Sequence, residues 1–461
     1  MASSPFPTKL SDLKLNDSAD SPSFYAQLRS IKKSTLSVRN RLTSIVIDAK
    51  FVKSVSDFYR LPLVANERCG SWYIDPSDKA GSAYFKSTDG HHGIWDFSLR
   101  RLNLQLLPIL GRHGGAVIVD STRRGKNLPD AFSKTVPIWV AVLNRALFPE
   151  SKGYHHGFQG PPPPDDLGKS EISQIEAKLD GFVQAFLSLN VDPSVLREQL
   201  KRPIRVHWVI NTGVELEHVD LPEQTQEATS CTHDDHRLVL CSASHRVHGA
   251  EVSEGGYIQG AGDDSEGWSH GLDPTLFWKH QDKLMMTSEE DLPDLIQGLL
   301  AAEDTKPVQY TLIQPTTQLY VGAGPAPDQG GFHLIVNCQG KSQDASSKVL
   351  NLDCRAGKLG SKDLRQKIPS AVHAISNQLQ KDPQSRILVT CTSGRDLSAG
   401  VVATVLCLVF SDDGTLHLKN RAVVVDKHLV KQRLVWITSS KSDVNPSRST
   451  LQAVNTFLMP P

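Results

Sequence analysis

The sequence predicts an α/β protein, with a mixed α+β N-terminal domain and an α/β C-terminal domain. Short apolar runs of strand length alternate with longer segments of helical period. The clearest unit is Arg386–Phe410: the run Ile387–Val389 ends at Thr390-Cys391, crosses the polar loop Thr392-Ser393-Gly394-Arg395-Asp396 and enters a segment apolar enough for a buried helix. The chain of 461 residues is long enough for two or three domains. A boundary near Glu303–Lys306 divides residues 23–303 from 308–461, after a Ser/Pro/Asp-rich, flexible N-terminus of residues 1–22.

A strand, a Gly loop and a helix start aim backbone N–H groups and a positive dipole end at one point, which suits an anion such as phosphate. Cys391 stands at the mouth of that loop, where the same field lowers a thiol pKa. The plain alternative is a buried Cys that ends a strand before an ordinary turn.

Composition excludes several classes. Lys+Arg 50 against Asp+Glu 50 leaves no global field for nucleic acid, so such binding requires a local patch. No basic segment followed by an apolar run opens the chain, and no stretch approaches membrane-spanning length. The expectation is a soluble cytoplasmic protein with no membrane contact and no obligate protein partner evident. Seven cysteines without a Cys-x-x-Cys pair fit reduced thiols rather than a disulfide framework.

From Phe24 to Tyr59, Leu28, Ile31, Val38, Leu42, Ile45, Ala49 and Val52 recur mostly at three- and four-residue steps, a helical stripe that Pro62 ends. Arg68–Phe148 is chemically dense: RCGSWY (68–73), FKSTDGHHG (85–93), an expected amphipathic helix around Phe97–Leu110, the strand Ala116–Val119, the loop DSTRRGK (120–126) and a helix around Pro129–Leu147. Between Lys86 and Phe148, nine Lys/Arg stand against four Asp/Glu, a local positive patch. Its two loops follow hydrophobic strands and are rich in Ser, Thr, Gly and Asp. Lys86, Ser87, Thr88, His91, Arg123, Arg124 and Lys126 are therefore candidate contacts for RNA backbone or pyrophosphate.

Helices are expected around Ile172–Leu189, Pro193–Lys201 and Leu292–Ala302, and strands at Pro203–Ile210 and Arg237–Cys241. Cys231, His233, His236, Cys241, His245 and His248 invite a zinc reading, but their spacing matches no ligand pattern. Tyr257–Trp268, YIQGAGDDSEGW, sets Asp263-Asp264 in a Gly-rich loop after a short strand. Such a pair can hold a Mg²⁺ that bridges phosphates. The same composition also suits an exposed turn.

The C-terminal part resembles a dual-specificity phosphatase domain over about Val308–Pro461. Thr316–Gly324 is similar to its opening strand, Phe332–Cys338 to a buried strand ending in Val-Asn, and Pro446–Leu458 to its closing helix. Cys391, Gly394 and Ser398 keep the register of the phosphatase signature, but Leu397 occupies the place of the Arg that clamps the phosphoryl group, and Arg395 lies two residues earlier. No acid stands out in Asp353–Ser361, where the general acid is expected. Lys358 and Ser361, both able to bind anions, occupy that loop instead. The resemblance implies a loop that binds phosphate without hydrolysing its esters.

Over most of its length the chain resembles the initiator tRNA phosphoribosyltransferases of fungi and plants, carried by RCGSWY, FKSTDGH, DSTRRGK with NLPDAFSKTVPIW, YIQGAGDDSEGW, LFWKH and CTSGRDLSAG. That resemblance implies transfer of 5-phosphoribosyl from 5-phosphoribosyl 1-pyrophosphate to the 2′-hydroxyl of a T-stem purine, nucleotide 64, in initiator tRNA. On this view Cys391, Thr392, Ser393, Gly394, Arg395, Ser398, Lys358 and Ser361 bind donor phosphate. Asp396, or one of Asp263 and Asp264, serves as general base or Mg²⁺ ligand, with Arg395 beside the reacting phosphate. An active phosphatase and a catalytically dead phosphate-binding module stay open as alternatives.

Overall fold

The computed structural model describes residues 36–91, 93–123, 125–151, 153–189, 191–213, 234–247, 256–303, 310–324, 331–339, 348–355, 357–417, 425–441 and 443–459. The chain forms two compact units. One contains the described residues of Met1–Asp96, Leu107–Leu179 and Arg197–Thr305, the other those of Phe97–Leu106, Asp180–Leu196 and Lys306–Pro461.

The first unit opens with α1 (Val38–Tyr59), whose N-cap Ser37 accepts from the Asn40 N–H and whose chain turns out through Arg60 in the left-handed region. Its buried Val38, Leu42, Ile45 and Val52 belong to the expected stripe, whose Leu28 and Ile31 lie outside the described residues. Five strands follow: β1 (Leu63–Asn66), β2 (Lys79–Ala83), β3 (Gly115–Asp120), β4 (Ile204–Ile210) and β5 (His236–Ser242). They pair in the order β2-β1-β3-β5-β4, all parallel. β3 is buried along its whole length, as a central parallel strand covered on both faces must be. The helices of this part are α2 (Leu107–His113), α3 (Val136–Leu147), α4 (Lys169–Leu187, counted with the second unit from Asp180 on), α5 (Pro193–Leu200, counted with the second unit up to Leu196), α6 (Pro274–Lys279), α7 (Gln281–Met286) and α8 (Leu292–Glu303).

Two expectations are corrected here. Phe97–Asn103 is not helical; a 3₁₀ turn begins only at Leu104 and α2 at Leu107. Asn103 takes a positive φ of 52°, which breaks helical continuity, and Phe97 packs instead on Phe182 and Phe186. Among the described residues no strand leads directly into Asp263; Ile258 makes an isolated bridge, and Tyr257–Asp263 is a buried run that turns from Gln259 on rather than an exposed turn.

The second unit is built on β6 (Tyr310–Leu312), β7 (Leu319–Ala323), β8 (Leu334–Asn337), β9 (Val349–Asn351) and β10 (Ile387–Cys391), in the order β6-β7-β10-β8-β9. All neighbours are parallel except β6 with β7. The helices are α9 (Gly357–Lys381), α10 (Leu397–Val409), α11 (Lys427–Ser440) and α12 (Arg448–Leu458). α10 is buried almost all round, including Val402, Val405 and Leu406, so truncating one such Leu to Ala would cost about 2–5 kcal/mol. Lys358 and Ser361 stand in the first turns of α9, not on a loop as expected, because helix begins at Gly357.

Candidate functional site

In a parallel sheet the loops after neighbouring strands diverge where the chain order reverses, and ligands bind in that crevice. Here the chain runs from β1 outward to β2 and then to β3 on the other side, so the crevice lies between the ends of β1 and β3. Asn66 ends β1: its Nδ2 donates to Asp120 Oδ2 (2.8 Å) and to the Phe85 carbonyl (3.0 Å), and its Oδ1 accepts from the Phe85 N–H (2.8 Å). One amide thus ties the exits of three strands.

Asp120, fully buried at the end of β3, also accepts from Arg68 Nη2 (2.9 Å) and Nε (3.3 Å), Cys69 Sγ (3.0 Å) and the Ser121 N–H (2.8 Å). The Arg68 guanidinium further donates to the Ser121 carbonyl and lies 3.1 Å from Asp263 Oδ1. Burial opposes its charge, but the surrounding groups, Asp120 foremost with Cys69 and Asp263, together outweigh burial and raise its pKa. Burial pushes the Cys69 thiol well up, so it stays protonated and no nucleophile.

The segment carrying Asp263 docks on the one carrying Arg68. Trp268 lies 5.0 Å from Trp72 between ring centroids, the Gly262 N–H donates to Tyr73 Oη (2.9 Å), and Trp268 Nε1 donates to the Asp263 carbonyl (3.1 Å). Gly260 has φ +67°, and a Cβ there would lie 2.5 Å from Arg123 Cγ, so only Gly permits this approach to the loop after β3. Asp48, fully buried in α1, braces the segment from behind by accepting from Tyr257 Oη (2.8 Å) and Ser244 Oγ (2.6 Å).

Asp263 is buried, with Arg123 Nε 3.4 Å from its Oδ2; its Oδ1 accepts no hydrogen bond despite the ion pair with Arg68. Burial raises its carboxyl pKa in spite of both arginines. Asp264, left-handed at φ 49°, turns outward and is 75% exposed, with Oδ2 2.7 Å from Arg123 Nη1. Two guanidinium groups therefore face three carboxylates, one negative charge in excess.

Of the basic loops, Lys86 precedes a 3₁₀ turn that contains Ser87 and Thr88, and its carbonyl accepts from Thr135 Oγ1. Asp130 lies between His91 (3.4 Å) and Lys126 (3.3 Å). Lys134 pairs with Glu171 and Arg145 with Glu176. Arg124 lies outside the described residues. Three cations of the positive patch, Arg123, Lys134 and Arg145, are thus paired with acids from distant sequence, and Lys126 with Asp130 one turn away. Of the zinc candidates, His236 and Cys241 lie in β5 and His245 stacks on Tyr257; Cys231, His233 and His248 lie outside the described residues.

In the second unit Cys391 ends the central strand β10. Its carbonyl accepts from the N–H groups of Gly324 and Gly394 (3.1 Å each). Gly394 has φ +64°, and a Cβ there would meet the backbone of Gly322 and Ala323 at 2.7 Å. Burial alone would push the Cys391 thiol up, but bonds from the Ser398 hydroxyl (Sγ–Oγ 3.1 Å), the Ser398 and Asp396 N–H groups and the Ser393 hydroxyl outweigh it and lower the pKa. Thr392 and Ser393 are exposed; Ser398 is buried in the first turn of α10. Leu397, at the clamp position, is buried in the core. Arg395 points to Asp443 (Nε–Oδ2 3.0 Å), and Asp396 Oδ1 accepts from the Ser447 N–H (2.8 Å). Ser361 bonds to Ser449 and Thr450; the side chain of Lys358 lies outside the described residues.

The arrangement comprises two separate phosphate-compatible features, and Arg68 and Asp120, central to one, were not singled out as site residues from the sequence. Part of the signal was present: DSTRRGK follows the predicted strand Ala116–Val119, whereas no strand was expected before RCGSWY, which follows β1, and strand ends are where parallel sheets place their sites. Among the described residues no helix is long and apolar enough to cross a membrane.

Residues 31–301 match the family model described as the Rit1 N-terminal domain, and residues 348–458 that described as the Rit1 DUSP-like domain. The chain is 34% identical over 493 residues to the tRNA A64-2′-O-ribosylphosphate transferase of Saccharomyces cerevisiae, covering 94% of each. It is 35% identical over 448 residues to an uncharacterized protein of Schizosaccharomyces pombe, covering 91% of this chain and 94% of that one. The PTP-2 phosphatase structure from Cydia pomonella aligns with 32% of this chain and 88% of its own at 13% identity and a TM-score of 0.24, too low to carry an argument. With both domain models matched in order and near-full-length identity to these relatives, the chain belongs to the Rit1 family.

Proposed function

We propose that the protein is a cytoplasmic pentosyltransferase that moves 5-phosphoribosyl from 5-phosphoribosyl 1-pyrophosphate to the 2′-hydroxyl of the T-stem purine at nucleotide 64 of initiator tRNA. The observation that carries this reading is the 34% identity, over 94% of both chains, to a relative named for ribosylphosphate transfer to tRNA A64. In the reaction the bond from C1′ to the pyrophosphate oxygen breaks and a bond from C1′ to O2′ forms. Pyrophosphate departs with the electron pair, and the 2′-hydroxyl proton passes to a carboxylate. Asp264, whose side chain is exposed and, among the described residues, shared only with Arg123, suits that base, or alternatively a Mg²⁺ ligand, better than Asp396, whose Oδ1 already accepts from Ser447.

Arg68 and Arg123 would face the departing pyrophosphate, but the excess carboxylate beside them opposes a bare anion. A bound Mg²⁺ would supply the positive charge that offsets that conflict. Among the described residues no group of three or more His, Cys, Asp or Glu encloses a metal. Asp263 Oδ1, which accepts no hydrogen bond although Arg68 lies 3.1 Å away, and the exposed Asp264 would be the groups to hold a Mg²⁺ that otherwise keeps water and substrate oxygens. The cysteine loop would hold a phosphate without hydrolysing it, because Leu397 is buried where the clamp would stand.

The test is labelled phosphoribosyl incorporated into initiator tRNA, with and without chelator. Asp264→Asn should reduce turnover by orders of magnitude while tRNA binding stays near wild type. Full activity of the Asp263→Asn/Asp264→Asn variant would return the segment to a structural loop. The lowered Cys391 thiol favours a second reading, a phosphatase. Vanadate-sensitive turnover of an aryl phosphate, abolished by Cys391→Ser, would establish it instead.

A further inference from the structure

The second unit carries another cationic feature, separate from the cysteine itself. A cavity of about 600 Å³ opens between α9 and the start of α12, and its lining includes Lys362, Arg365 and Arg448 but no carboxylate. Lys362 and Arg365 are three residues apart and share one face of α9. All three cations are exposed, and among the described residues none makes an ion pair. Several other cations of this unit do: Arg355 pairs with Asp363, Arg395 and Lys441 with Asp443, and Arg433 with Asp412. Unpaired like charges gathered at one cavity repel one another, and an anion relieves that repulsion.

Three hydroxyl residues of the cavity wall, Ser361, Ser447 and Ser449, form a closed ring with Thr450 behind them. Ser449 donates to Ser361 (3.0 Å), Ser361 meets Thr450 (3.1 Å), Thr450 meets Ser447 (2.9 Å) and Ser447 meets Ser449 (2.9 Å). The ring pins α9 to the N-terminus of α12, so that helix's positive end opens on the cavity together with the cations. The Ser447 N–H that ends on Asp396 joins this wall to the cysteine loop.

We propose that this cavity binds successive phosphates of an RNA backbone, a contact that rests on the reading of tRNA as substrate. Its cations stand on two separate helices, and Gln452 and Thr456 continue the lining along the next turns of α12. Charged and hydroxyl or amide side chains spread along a cleft suit a chain of phosphates and 2′-hydroxyls better than one compact anion.

The test is salt-dependent binding of an initiator tRNA transcript to the full chain carrying Arg365→Gln and Arg448→Gln. Two lost phosphate contacts should lower the log–log salt slope by roughly 1.4–1.8, with Arg365→Lys and Arg448→Lys restoring most of it. Protection of Cys391 from alkylation by inorganic phosphate should be unchanged. Should the double variant fold poorly by thermal melting, Arg365→Gln alone should show about half the slope change. An unchanged slope overturns the site. Loss of inorganic-phosphate or pyrophosphate binding at an unchanged slope assigns the cavity to a small-molecule phosphate and overturns the RNA contact. Failure of the wild-type chain to bind tRNA at any salt overturns the tRNA reading itself and this contact with it.

Discussion

Arg68→Ala would remove the cation that joins two buried carboxylates. Asp120 is fully buried and the Asp263 side chain is 4% exposed, while the Arg68 side chain is 25% exposed. Removing one partner of a buried ion pair costs about 3–5 kcal/mol, because the remaining charge is left uncompensated. Partial exposure of the guanidinium, and the donors Asn66, Cys69 and Ser121 that stay on Asp120, bring the expected loss to about 2–4 kcal/mol at neutral pH. Without Arg68, the carboxyl of Asp263, already raised by burial, must rise further. A folded-state pKa above the unfolded one means the folded state binds more protons, so stability falls as pH rises through that folded pKa. The variant's deficit should therefore be largest near neutrality and shrink on acidification towards the ordinary carboxyl range. Urea unfolding at several pH values reads both quantities, with unchanged m-values confirming two-state behaviour. A deficit below about 1 kcal/mol at neutral pH, or one that grows on acidification, would refute the reasoning.

Three further outcomes follow from the same geometry. Asp263→Asn removes a charge that burial opposes while Arg68 keeps Asp120 and Arg123 keeps Asp264, so it should be neutral or stabilising at neutral pH yet impair transfer; a neutral-pH melt and the transfer assay check both. Arg395→Ala breaks only a surface pair with Asp443, costing under about 1 kcal/mol in stability. If the guanidinium turns to bound phosphate, anion affinity should fall by roughly 1.5–3 kcal/mol per charged hydrogen bond, read by calorimetry; unchanged affinity removes Arg395 from the site. Gly394→Ala places a Cβ 2.7 Å from backbone at φ +64°, so it should destabilise by at least about 1–2 kcal/mol in a chemical melt; an unchanged midpoint would show that the loop relaxes freely.

Local pattern carried much of the fold. The buried strand β10, its Gly loop and the apolar α10 were legible because strand length, a polar Gly turn and continuous hydrophobicity are properties of adjacent residues. The same holds for β3 and for the stripe of α1. Phe97–Asn103 misled because its apolar spacing is helical, whereas Phe97 is held by Phe182 and Phe186, more than eighty residues away. Lys358 and Ser361 read as loop residues because the phosphatase resemblance places a loop at Asp353–Ser361, yet helix starts at Gly357 and Ser361 is bonded to α12.

The site divides along the same line. Acid, Arg, Gly and Cys types at strand ends announced phosphate chemistry, since backbone donors and dipole ends depend on local chain path. Charge did not follow from local counting. The nine cations between Lys86 and Phe148 looked like a free basic patch, but Arg123 meets Asp263 and Asp264, Lys134 meets Glu171, and Arg145 meets Glu176. Those partners come from other parts of the chain, and Coulomb interactions depend on distance in space, not separation in sequence. The association of Arg68, Asp120 and Asp263 was likewise settled by strand order, which sets the ends of β1 and β3 side by side and leaves Asp264 facing solvent while its neighbour is buried.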